Sequence, residues 1–160
     1  MSTVRQHVYS LTEADWVVDV YERPCIAVPE CIRPWQTSHN RSYFDFIGTV
    51  STATFEEGNT WLLCAEDFNS DKQRAALKWD ELRTIGLSAA GDEKERQRIE
   101  GFWNEYLPIC MSAGTINSFC ALGKNGEVVI GYEPLYEEAK VISDDFDQFV
   151  DMLAAGEVYL

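Results

Sequence analysis

The chain has 160 residues, enough for one domain that buries about 70% of the surface its unfolded form exposes. Its 46% hydrophobic content, with five Trp, seven Tyr and eight Phe, argues against disorder. A net charge of −14, from 27 acids against 13 Lys and Arg, weighs against nucleic acid and anionic membrane surfaces, which both call for clustered cations.

In chain order, Leu11 to Val20 carries Trp16, Val17 and Val20 at helical spacing behind Thr12, and predicts a short helix. Pro24, Pro29 and Pro34 punctuate the next stretch of chain. Cys31, Ile32 and Trp35 predict a second helical face running through His39 towards Tyr43, Phe44 and Phe46. Phe44 to Phe55 is rich in β-branched and aromatic residues and predicts extended structure, with a strand from about Ile47. Glu56 to Asn59 is a turn, and Thr60 to Cys64 a short, partly buried strand.

Glu66 to Leu82 predicts a partial helix and Gly86 to Gly91 a loop. Asp92 then stands three residues before Glu95, a capping-box spacing. Ile99, Phe102, Trp103 and Tyr106 come next on one helical face, which Pro108 ends. Leu107 to Met111 starts a strand. Asn125-Gly126 predicts a two-residue hairpin turn, with Lys124 facing Glu127, Phe119 facing Tyr132 and Ala121 facing Ile130. Both faces of that hairpin are apolar, as in strands covered on both sides. Lys140 to Ile142 is a short extended link. Ser143 or Asp144 caps a last helix whose stripe is Phe146, Phe149, Val150 and Leu153, and Gly156 stops it.

Catalytic signatures are sparse. The chain has no GxGxxG, Walker A, GxSxG or HExxH motif. The five cysteines, Cys25, Cys31, Cys64, Cys110 and Cys120, form no CxxC pair, so a reducing compartment fits and a zinc ribbon does not. Cys110 and Cys120 lie among apolar neighbours and read as core residues. His39 with Cys31 or Cys25 makes a Cys–His nucleophile conceivable, but no third group orients the base. Asp144, Asp145 and Asp147 lack EF-hand spacing, and helix capping accounts for the first two. No catalytic residue, metal site or cofactor is expected. The start of the chain has no signal-peptide h-region and no stretch reaches the length of a spanning helix, so a cytoplasmic location is expected.

Charge is uneven along the chain. From Glu127 onward there are nine acids against Lys140 alone. The connector Glu133 to Glu138 holds three of those acids with Tyr136 among them. An acidic surface with an aromatic anchor suits a basic protein partner. The expected contact residues are Glu133, Tyr136, Glu137 and Glu138, with Glu56 and Glu57 as a second acidic patch.

Several of these segments, taken together, resemble the SUKH superfamily, the family of the fungal Smi/Knr cell-wall regulator and many bacterial immunity proteins. The matching pieces are Leu107-Pro108-Ile109, a loop with Gly114, the hairpin FCALGKNGEVVIGY, and the closing VISDDFDQFVDML from Val141 to Leu153. The resemblance implies a single SUKH-like domain over residues 1–160, of α+β class, with a mixed or antiparallel sheet flanked by helices. It also implies an immunity protein that binds and neutralises a secreted toxin domain, such as a basic nuclease. Two other readings are a Smi/Knr-type scaffold for endogenous signalling proteins, and an enzyme using His39 or the Glu133–Glu138 carboxylates.

Overall fold

The computed structural model describes residues 3–23, 27–56, 58–69 and 77–160. Its frame is one seven-stranded sheet with the strands in chain order. These are β1 (Trp16–Val20), β2 (Val50–Phe55), β3 (Thr60–Leu62), β4 (Tyr106–Ser112), β5 (Ser118–Gly123), β6 (Val128–Tyr132) and β7 (Lys140–Ser143). Every neighbouring pair is antiparallel. The α+β class and the helix-flanked sheet expected from the sequence are both present, and the sheet is antiparallel rather than mixed.

The N-terminal expectation is corrected. The helix, α1 (Val4–Glu13), starts earlier, and Trp16–Val20 is a strand. Thr3 is the cap: its hydroxyl accepts the Gln6 N–H at 3.3 Å, and Gln6 Oε1 accepts the Thr3 N–H at 2.8 Å. Asp15, at φ 70°, breaks the chain between the two elements. Pairing decides the strand. Trp16 lies opposite Phe55, with ring centroids 5.7 Å apart. A lone five-residue segment shows no such preference.

A second correction concerns Phe44 to Thr49. Two 3₁₀ turns, Glu30–Trp35 and Ser38–Asn40, lead into α2 (Arg41–Thr49), and only Val50–Phe55 is extended. Tyr43, Phe44, Phe46 and Ile47 are all buried, and their spacing is that of one helical face.

Further on, Ala65–Phe68 is a 3₁₀ turn, and the middle of the expected helix, 70–76, lies outside the described residues. Helix α3 (Glu81–Ala89) takes in part of the expected Gly86–Gly91 loop. Helix α4 (Glu93–Glu105) begins as expected: Asp92 Oδ1 accepts the Glu95 N–H at 2.8 Å. The Glu95 carboxylate accepts from Gly91 at 3.0 Å instead of closing the box on Asp92. Tyr106 belongs to β4, not the helix, and its ring stacks on Phe102 at 5.0 Å.

The hairpin register is one residue off the expected one. Gly123 N–H donates to the Glu127 carbonyl at 2.8 Å, so the loop is Lys124 to Gly126, with Gly126 at φ 101°. Phe119 therefore faces Gly131, and Ser118 faces Tyr132. Lys124 leaves Glu127 and sets its ammonium 5.5 Å over the Trp35 ring. A Cβ at position 131 would come within 2.5 Å of the Phe119 ring, so this register needs glycine there.

All six β5 residues are buried. Alternate residues point to opposite faces, so both sides are covered, as the apolar hairpin implies. Phe119 meets Trp103 of α4 at 5.0 Å on one side. On the other, the Tyr132 hydroxyl donates to the Tyr159 carbonyl at 2.6 Å, beyond α5 (Phe146–Ala154). Cys110 and Cys120 are fully buried, as expected, and burial pushes both thiols up.

Helix α5 carries the expected buried stripe of Phe146, Phe149, Val150 and Leu153, and Gly156 comes after it at φ 73°. Its cap is Asp145, not Ser143 or Asp144. Asp145 Oδ1 accepts the Gln148 N–H at 2.8 Å, while Gln148 Oε1 accepts the Asp144 N–H at 2.8 Å. Asp145→Ala should cost about 1 kcal/mol of unfolding free energy, read from urea midpoints. Asp144→Ala, which leaves both side-chain bonds in place, should change stability by less than about 0.5 kcal/mol.

Candidate partner-binding surface

Antiparallel pairing brings three chain segments to one end of the sheet. Thr60 pairs with Ser112, Ser112 with Ser118, and Ser118 with Tyr132. The turn after Phe55, the loop 113–117 and the connector 133–139 therefore leave the sheet at the same end. Backbone bonds stitch them together. Ala113 N–H donates to the Asn59 carbonyl at 2.9 Å, and Glu133 N–H to the Asn117 carbonyl at 3.0 Å.

Within the connector, each expected contact residue has a distinct place. Glu133 is half-buried, and its Oε1 accepts the Asn117 N–H at 2.6 Å. It therefore works as a clamp for the β4–β5 loop as well as a rim charge. Tyr136 is the main correction. It sits in the 3₁₀ turn Tyr136–Glu138, is only 2% exposed, and packs its ring 5.9 Å from Phe119. Burial, helped by the Glu133 charge, pushes its phenol up, and the buried hydroxyl meets no hydrogen-bond partner among the described residues. A side chain so enclosed is a core residue and offers no surface anchor. The connector folds back over β6 because Gly131 leaves room: a Cβ there would also stand 3.0 Å from the Tyr136 carbonyl. The sequence signal for this is a glycine inside a strand run, which often marks a close approach.

Glu137 is also largely covered. Arg98 of α4 reaches it at 3.1 Å, with the Glu137 side chain 7% exposed and that of Arg98 61% exposed. Its charge is thus already matched. Glu138 is exposed. Glu56 is exposed at the same end of the sheet, three to four strand spacings away, or roughly 15–20 Å. Glu57 lies outside the described residues.

What the end presents is a groove of about 280 Å³ lined by Ile130, Tyr132, Glu133, Pro134, Leu135, Glu138 and Lys140. Tyr132 and Leu135 are each 45% exposed, and Ile116 of the neighbouring loop 57%. The sequence sets Tyr132, Tyr136 and Tyr159 among the acids as candidate anchors; Tyr132 and Tyr159 are exposed, while Tyr136 is not. Leu135 and Ile116 are exposed here too, and no local pattern distinguishes them from buried neighbours.

The Cys–His pairing finds no support in the geometry. Cys31 donates to the Phe68 carbonyl at 3.7 Å, and desolvation, with Asp80 and Glu30 nearby, raises its thiol against the backbone bond. An activated nucleophile needs the opposite shift. Cys25 lies outside the described residues. His39 instead lines a separate polar pocket with Arg41, Asp45 and Asp147. Among the described residues, no helix is long and apolar enough to cross a membrane. Comparison with protein-family models, with curated proteins and with solved structures gives no match.

Proposed function

We propose that this chain is a cytoplasmic immunity protein that binds and neutralises a toxin domain with a basic surface, and that the end of the sheet around Glu133 and Glu138 makes the contact. The observation that carries this reading is the open groove there: exposed Tyr132 and Leu135 edged by carboxylates, on a chain of net charge −14. Apolar side chains supply contact area, and the acids steer a cationic partner and fix its orientation. The SUKH-like segments from Leu107 to Leu153 support the same reading by resemblance. A toxin that itself binds phosphates would present the matching cations.

Co-purification with the product of the neighbouring gene, followed by protection of cells expressing it, tests the function. Binding with an association rate that falls as salt rises is expected; a neighbouring product that neither binds nor is neutralised overturns it. Glu138→Lys, alone or with Glu56→Lys, should slow association roughly threefold to tenfold at low salt. Thermal stability should stay unchanged, since both side chains are exposed. Glu137 is unsuitable for this test, because a lysine there would face Arg98.

A further inference from the structure

A second cavity, of about 180 Å³, is lined by Trp35, Trp79, Trp103, Pro108, Asn104, Asp80 and Arg83. It shares no residue with the groove at the sheet end. Each indole is held from behind by a different partner. Trp35 Nε1–H donates to the Glu105 carbonyl at 2.9 Å. Trp79 packs edge-on against Phe68 at 5.6 Å, and Trp103 lies tilted against Phe119 at 5.0 Å. Three fixed aromatic walls thus surround a space that none of them fills.

The indole faces around this space favour a cation, while its two lining charges, Asp80 and Arg83, are of opposite sign. Indole faces attract positive charge through the ring quadrupole, and Trp35 already takes the Lys124 ammonium at 5.5 Å. Asp80 stands at the N-cap position of α3 but makes no side-chain cap bond to its helix. Arg83, the cation in the lining, lies 3.8 Å from Glu100 of α4, so its charge is offset within the protein. A flat cation that stacks on indole and pairs two ways with a carboxylate is a guanidinium.

We propose that the Trp35–Trp79–Trp103 pocket receives one arginine side chain from a partner protein, stacked on indole and paired with Asp80. That partner need not be a toxin.

N-acetyl-arginine amide is titrated into the ¹⁵N-labelled protein while the five indole N–H signals are followed. N-acetyl-citrulline amide, which has nearly the same shape without the charge, is the comparison. Saturable shifts are expected at Trp35, Trp79 and Trp103 but not at Trp16 or Trp61. Citrulline should bind about tenfold more weakly, the loss expected when cation–π attraction and ion pairing are removed together. Asp80→Asn should weaken arginine several-fold, leave citrulline unchanged and keep the melting temperature. Equal binding of both amides would reduce the cavity to an apolar slot. Unsaturable shifts at all five indoles, or an Asp80→Asn variant that binds arginine normally, would also overturn the proposal.

Discussion

Tyr136→Ala is expected to lower the unfolding free energy by about 3–5 kcal/mol, the cost of emptying a buried aromatic site. The ring is 2% exposed and lies against Phe119, which in turn touches Phe102 and Trp103. The turn that carries it also packs on α4 and β6, leaving little freedom to collapse into the void. Tyr136→Phe keeps the ring and should change stability by less than about 1 kcal/mol in either direction, because the buried hydroxyl has no hydrogen-bond partner among the described residues to lose. Urea midpoints for the two variants check both figures. A surface anchor would behave oppositely, with affinity falling and stability untouched. A Tyr136→Ala variant as stable as the parent would return this residue to the candidate interface. Among the connector acids, Glu138 is the one left to solvent, since Glu133 clamps the Asn117 loop and Glu137 is matched by Arg98.

The legible parts of the fold are those whose determinants are local. The stripe of α5 and the Gly126 turn each rest on a few neighbouring residues, and the sequence places them within a residue or two. The same holds for the Asp92 cap. Trp16 to Val20 is different, because its apolar spacing suits helix and strand alike. Only pairing with β2, distant along the chain, makes it a strand. Phe44 and Phe46 pose the reverse problem: aromatic and β-branched composition suggests extension, while burial against α5 rewards a helix. The candidate site fails to show in the sequence for a related reason. Acids around Tyr136 make it read as surface, yet its environment comes from Phe119 and Gly131 on two other strands of the sheet. Even the hairpin register turns on a non-local contact, the Phe119 ring seated over Gly131.

Phe146→Ala should be similarly severe, at about 3–5 kcal/mol, for a reason that also separates folding from function. Phe146 is 2% exposed and meets the rings of Tyr43 at 5.2 Å, Phe46 at 5.4 Å and His7 at 5.6 Å. It is therefore where α1, α2 and α5 converge. Beside it, the buried His7 places Nε2 2.7 Å from Asp147 Oδ1, which also accepts the Ser42 hydroxyl at 2.5 Å. Asp147 is thus engaged by the fold, whereas Asp145, which caps α5, stays exposed. Because Phe146 and His7 touch, Phe146→Ala and His7→Ala should be non-additive by at least about 0.5 kcal/mol, measured by a double-mutant cycle. If the chain neutralises a toxin as proposed, loss of that protection in Phe146→Ala should track the unfolded fraction and recover on cooling. Loss in Glu138→Lys should persist at every temperature and respond to salt instead. A Phe146→Ala protein that is fully folded yet unable to bind would move the interface from the sheet end to α5.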